Sequence, residues 1–189
     1  QAATALAAAH AARAQDELEP GLAMLWGSLS VATTLHRVPG PVPVPGSAPH
    51  DVDVVDEATA RNVLLGYLHS LAPVLQLGIG VTDGDARAAY QRRWDQVRVL
   101  VISQQGLIRS LGADPAGPLP GYDLPGPTDS PQSIAATTTL VEQQVFTASA
   151  PVIAASPAAG RPQAIADMVT QGTVVHARGA STPYFPGWA

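Results

Sequence analysis

GYDLPGPTDSP, residues 121–131, opens a long run with helical periodicity, and TPYFPGW, residues 182–188, closes the chain. Asp129 or Ser130 caps that run and Pro131 falls in its first turn, where a missing N–H breaks no intrahelical bond. A helix is therefore expected from there to about Ala155, with a disturbance at Pro151. SPAAGRP, residues 156–162, reads as a turn, and a last helix is expected over about Pro162 to Arg178. The tail after it carries Tyr184, Phe185 and Trp188 between prolines and is expected to cover apolar surface as irregular chain.

Working outward from this end, Asp56 caps a helix over about Glu57 to Leu77, which Pro73 should kink or end early. GVTDGD then turns into a helix from about Asp83 to Leu111, stopped by Gly112 and Pro115. The segment from Val38 to Asp56 has no helical period and carries Pro39, Pro41, Pro43, Pro45 and Pro49, the pattern of an extended polyproline linker. Before it lie an Ala-rich helix from Ala2 to about Glu19 and an apolar stretch from Leu22 to His36. In the second of these, Leu22, Leu25, Trp26 and Leu29 share one helix face that wants a partner surface. The expected division is a helical arm over 1–37, a linker over 38–56 and a bundle over 57–189. The fold class is all-α: an up-and-down four-helix bundle with an additional N-terminal arm on a Pro-rich linker. Only VDVVD and GTVVH have β-branched runs, and both are short.

Composition narrows the chemistry. The chain has 189 residues, is 46% hydrophobic and carries a net charge of −5, enough apolar content for one sizeable core. All ten basic residues are arginine and none form a block, so no nucleic-acid partner is expected. The arginine-only, Ala-rich composition points to a high-GC, actinobacterium-like source. The absence of cysteine removes disulfides, thiolate catalysis and iron–sulfur ligation. Gln1 in place of an initiator methionine leads us to expect a processed chain whose signal or anchor was removed upstream. From Val63 to Val81 no residue is formally charged, which is the length of a membrane span. A buried bundle helix explains the same run, because His69, Ser70, Gln76, Pro73 and three glycines interrupt it. No G-x-S-x-G, G-x-G-x-x-G or P-loop occurs in the setting its chemistry needs.

The order of these parts resembles an actinobacterial ferritin-like domain family of unknown function, typical of exported proteins and lipoproteins. Its carriers are the Gly-containing turn LGIGV, the Arg-rich helix AAYQRRWDQVRVL, the junction YDLPGPTDSP and the aromatic-Pro-Gly end. The likeness covers about Glu57 to Trp188 and implies a ferritin-like bundle in the cell envelope. A di-iron site of that fold needs a carboxylate from each of two helices and an E-x-x-H pair from each of the other two. This chain has no E-x-x-H. Its bundle helices offer His69, Asp95, Glu142, and Asp167 with His176, the last two nine residues apart and on different faces. No metal or cofactor is therefore expected.

His69, Asp95, Glu142 and His176 form the candidate polar cluster. His69 reads either as a core ligand or as a buried histidine bonded to a neighbour. Glu142 either faces solvent beside Gln143 or faces inward, and then needs Arg92, Arg93 or Arg98 as a partner. Asp95 can pair with Arg92 at three-residue spacing. Thr137, Thr138 and Thr139 are expected to bond back to preceding carbonyls. The expected function is that of a non-catalytic accessory or assembly subunit of the cell envelope. Its partner would be a protein, a membrane complex included, and membrane association would come through that partner or the removed anchor. The alternatives are a metal- or cofactor-dependent oxidoreductase using the polar cluster, and a carrier of a small apolar ligand or lipid.

Overall fold

The computed structural model describes residues 1–50 and 53–188, so two residues of the expected linker and the last residue lie outside the described residues. Among the described residues seven helices follow one another: α1 (Ala2–Asp16), α2 (Pro20–Leu35), α3 (Glu57–Val81), α4 (Gly84–Ser110), α5 (Pro131–Ala148), α6 (Ala150–Ala155) and α7 (Arg161–Ala177). The chain is all-helical, with no strand among the described residues and one isolated bridge between Val44 and Pro183.

Local chemistry accounts for the helix ends. The Glu19 carboxylate accepts from Gly21 N at 2.8 Å and Leu22 N at 2.6 Å, and Pro20 starts α2. Asp56 accepts from Thr59 N at 2.9 Å and Thr59 Oγ1 at 2.6 Å; the Thr59 side chain, then its backbone, holds this carboxyl below its usual range. Gly112 and Gly179 sit at φ of 79° and 78°, the left-handed conformation in which glycine closes α4 and α7. The break expected at Pro151 falls between α5 and α6, with Pro151 in the first turn of α6. Pro73 does not end α3, which continues to Val81. Among the described residues α3 is the one helix long and apolar enough to cross a membrane. Its Leu65, Leu68, Leu71, Val74 and Leu75 are all buried, as core residues of a folded helix are.

The residues group into two compact units, Gln1–Ala60 with Val145–Ala189, and Arg61–Gln144. This corrects the expected division into arm, linker and bundle. The N-terminal helices are not a tethered arm: α2 packs on α1, α6 and α7 inside the first unit. Small residues make the close approach. A Cβ on Gly27 would stand 2.8 Å from Ile153 Cγ2, and one on Gly172 would meet the Leu35 side chain and stand 2.9 Å from Phe146 Cε2. Met24, Val31, Leu35, Phe146, Ile153 and Met168 are at most 2% exposed, each worth about 1.5–3 kcal/mol of burial.

Polar ties hold the rest of this unit. The Arg161 guanidinium, 6% exposed, donates to Ala14 O at 2.9 Å, Gln15 O at 3.4 Å and Glu17 O, placing positive charge on the unsatisfied carbonyls at the end of α1. Ser30 Oγ donates to Ala7 O at 2.8 Å. Far from being a free linker, the Pro-rich segment pairs with the tail: Val44 N donates to Thr182 O at 3.1 Å and Tyr184 N donates to Val44 O at 3.2 Å. The tail is held in turn by Ser28 Oγ donating to Pro186 O at 2.6 Å, and by the Trp188 indole donating to His50 O at 3.0 Å.

The second unit holds most of α3, all of α4 and most of α5. Arg61 Nη1 donates to Gln104 Oε1 at 3.1 Å between α3 and α4. The α4–α5 connection is an extended, proline-rich loop. Its first part is gripped by Asn62 of α3, which donates to Asp114 O at 3.2 Å and accepts from Ala116 N at 2.7 Å. Its last part is gripped by Thr137 Oγ1 of α5, which donates to Pro127 O at 2.7 Å.

Candidate functional site

Glu142, on α5, is fully buried, and both its oxygens are taken by one arginine of α4. Arg93 Nε donates to Oε1 at 2.9 Å and Nη2 to Oε2 at 2.7 Å, while Nη1 reaches Gln96 Oε1 at 3.4 Å. The fork geometry is bidentate, the strongest form of carboxylate–guanidinium contact. Of the two sequence readings of Glu142 the inward one holds, and Arg93 is the partner. As arranged, this carboxylate cross-links two helices and leaves neither oxygen unengaged.

The other members of the polar cluster are each engaged separately. His69 Nε2 lies 3.2 Å from Ala116 O; a carbonyl only accepts, so Nε2 carries the proton and the ring anchors the α4–α5 loop. Asp95 is exposed and accepts from Gln91 Nε2 at 3.4 Å rather than pairing with Arg92. Arg98 stacks over Trp94 at 4.7 Å. His176, 5% exposed, has Nε2 at 3.1 Å from Thr182 Oγ1 and a buried Nδ1 without a hydrogen-bond partner. Burial lowers its pKa from the ordinary 6.5. Among the described residues no three His, Cys, Asp or Glu side chains group so as to hold a metal ion. Thr138 and Thr139 bond back to Ile134 O and Ala135 O as expected, whereas Thr137 turns to the loop.

The α2 face identified from sequence is the edge of the packed surface rather than its centre. Ala23, Met24, Gly27 and Val31 are buried, while Leu22 is 45% exposed and Leu25, Trp26 and Leu29 are half-buried. Trp26 lies against His10 of α1, ring centroids 5.7 Å apart. The leucines line two neighbouring hollows. In one, of about 400 Å³, Leu22 and Leu25 face Pro49, His50 and Trp188. In the other, of about 420 Å³, Leu29 faces Pro43, Pro183, Tyr184 and Phe185. The Pro-rich segment and the aromatic tail thus supply the walls opposite α2.

A third hollow, of about 530 Å³, lies in the second unit between α3 and the α4–α5 loop, with Tyr67 and Tyr122 in its wall. Sequence reading did not single out Asn62, Tyr67, Tyr122, Arg161 or Ser28. Asn62, Arg161 and Ser28 reach carbonyls 52, 147 and 158 positions away in the chain, and no local pattern reports such pairings.

No curated protein and no solved structure matches the chain. A family model does match residues 74–189, from the middle of α3 through the tail, and the chain belongs to that family, described as a domain of unknown function, DUF4439.

Proposed function

We propose that this chain is a non-catalytic accessory or assembly subunit with a ferritin-like bundle, exported to the cell envelope and acting through contacts with another protein. The observation that carries the reading is the face of α2. Leu22, Leu25 and Leu29 are left half-exposed or exposed, beside two hollows walled by proline and aromatic side chains. Apolar side chains standing beside preformed hollows suit a partner segment that brings its own aliphatic or aromatic anchors. The bidentate hold of Arg93 on Glu142 supports the non-catalytic part, since it commits the most buried acid to a structural cross-link. The envelope location and the ferritin-like character rest on the resemblance of the YDLPGPTDSP junction and the FPG tail.

Point substitutions test this better than truncation. Removing residues 1–36 would strip Met24, Val31 and Leu35 from the core, and the first unit would be lost with the binding face. Leu22→Asp with Leu29→Asp changes only the rim. Protein purified from its native envelope is expected to carry a persistent companion that the double variant loses while its circular dichroism stays the same. A companion retained by the double variant would refute the contact role. Stoichiometric iron, manganese or zinc in the same preparation would refute the non-catalytic one.

A further inference from the structure

We propose that the hollow between α3 and the α4–α5 loop binds a small organic cation with an apolar body. Its volume of about 530 Å³ falls within the range of small-molecule sites. Val63 and Leu119 supply apolar wall, Tyr67 and Tyr122 supply aromatic wall, and Asp123 and Gln144 stand at the polar side. Asp123 is the one charged residue of this lining, and no arginine joins it. A lining with one carboxylate, two tyrosine rings and no cation discriminates by charge. It disfavours anions, while an ammonium gains from the carboxylate and the ring faces.

The site is built before any ligand arrives. Asn62 and His69 fasten the loop to α3 at Asp114 and Ala116, and Thr137 fastens it at Pro127. Within the loop the Tyr122 hydroxyl accepts from Leu119 N at 2.8 Å, fixing two lining residues against each other. Pro115, Pro118, Pro120, Pro125 and Pro127 restrict the backbone between the fastenings. Such a loop loses little conformational freedom on binding. The α3 wall is opened by Gly66: a Cβ there would meet nothing within 4 Å. A glycine in mid-helix weakens the helix relative to alanine, and here it leaves room.

The test uses three probes that share a phenylbutyl body and differ in the head: 4-phenylbutylamine, 4-phenylbutanol and 4-phenylbutyrate, titrated calorimetrically into the full chain. The amine is expected to bind about three- to tenfold more tightly than the alcohol, and the carboxylate more weakly than either. Asp123→Asn, at an exposed position, should erase the amine's advantage over the alcohol. Gly66→Leu should abolish binding of both without lowering the thermal midpoint. Equal affinities for the three heads, no heat from the amine at millimolar concentration, or undiminished binding by a folded Gly66→Leu protein would each overturn the proposal.

Discussion

Replacing Glu142 by glutamine keeps the volume of the side chain and removes its charge, leaving Arg93, 8% exposed, without the carboxylate it forks onto. Both groups are out of water, so little solvent is at hand to rehydrate the guanidinium. Breaking a buried pair in this way costs about 3–5 kcal/mol. For a chain of this length about 2–4 °C of thermal midpoint accompanies each kcal/mol. Glu142→Gln should therefore melt about 6–20 °C below the parent, followed by far-UV circular dichroism and checked by urea unfolding. The companion variant Arg93→Met with Glu142→Met removes both charges and offers apolar volume in return. It should recover most of the loss, because an apolar replacement of a buried pair is often neutral or better. A Glu142→Gln protein within about 1 kcal/mol of the parent would refute the argument. So would a double variant no more stable than Glu142→Gln, since the cost would then not be that of a stranded charge.

Three further outcomes are expected. Gly172→Ala should destabilise by about 1–3 kcal/mol through overpacking against Leu35 and Phe146, whereas Gly106→Ala, whose Cβ would meet nothing within 4 Å, should gain about 0.4–1 kcal/mol; urea midpoints decide between them. Ser28→Ala strands the buried Pro186 carbonyl at a cost of about 1–3 kcal/mol. It should also speed hydrogen exchange of the Trp188 indole N–H, which is otherwise held on His50 O; an unchanged exchange rate would mean the tail is fastened elsewhere. His176 titrates below 6.5 when folded, so the unfolded chain takes the proton first as pH falls. Stability from its neutral form is complete above pH 6.5 and declines as pH drops toward the folded pKa. The gap between the parent and His176→Asn should narrow over that interval, and parallel melting curves from pH 7.5 to about 5 would refute it.

Helix positions were legible in the sequence because their terminators are local. Pro131 marks a start, Gly112 marks a stop, and Asp56 carries a side chain that caps within three residues. Glu19, expected at the end of the first helix, instead caps α2, and the disturbance expected at Pro151 is the start of α6. Pro73 misled because an interior proline limits a helix only where neighbouring packing fails to hold it, and here Leu71, Val74 and Leu75 are fully buried around it. The inward direction of Glu142 could not be read from IAATTTLVEQQVF, which fits a buried or a solvated acid equally well. It depends on Arg93, 49 positions away. The polyproline stretch looked like a free linker because its composition has no helical period. The bridge at Val44, the Trp188 indole on His50 O and a ring packed on Gly40, where a Cβ would stand 2.7 Å from His176 Nδ1, hold it to the tail and α7.

The α2 face shows how size misleads a helical-wheel reading. Leu22, Leu25, Trp26 and Leu29 are large apolar residues on one face of that helix, a pattern that by itself points to a covering surface. What packs instead is the neighbouring stripe of Ala23, Met24, Gly27, Val31 and Leu35, where Ile153 sits against Gly27 and Leu35 sits against Gly172 of α7. Dense packing on that stripe leaves the leucines at the rim of the first unit, against walls made by the proline segment and the aromatic tail. The contact role proposed here thus falls on the same leucines that were expected on a tethered arm, for a different reason. Under that proposal the leucines are offered by a packed helix, and a partner would meet a surface whose ordering cost was met when the unit folded.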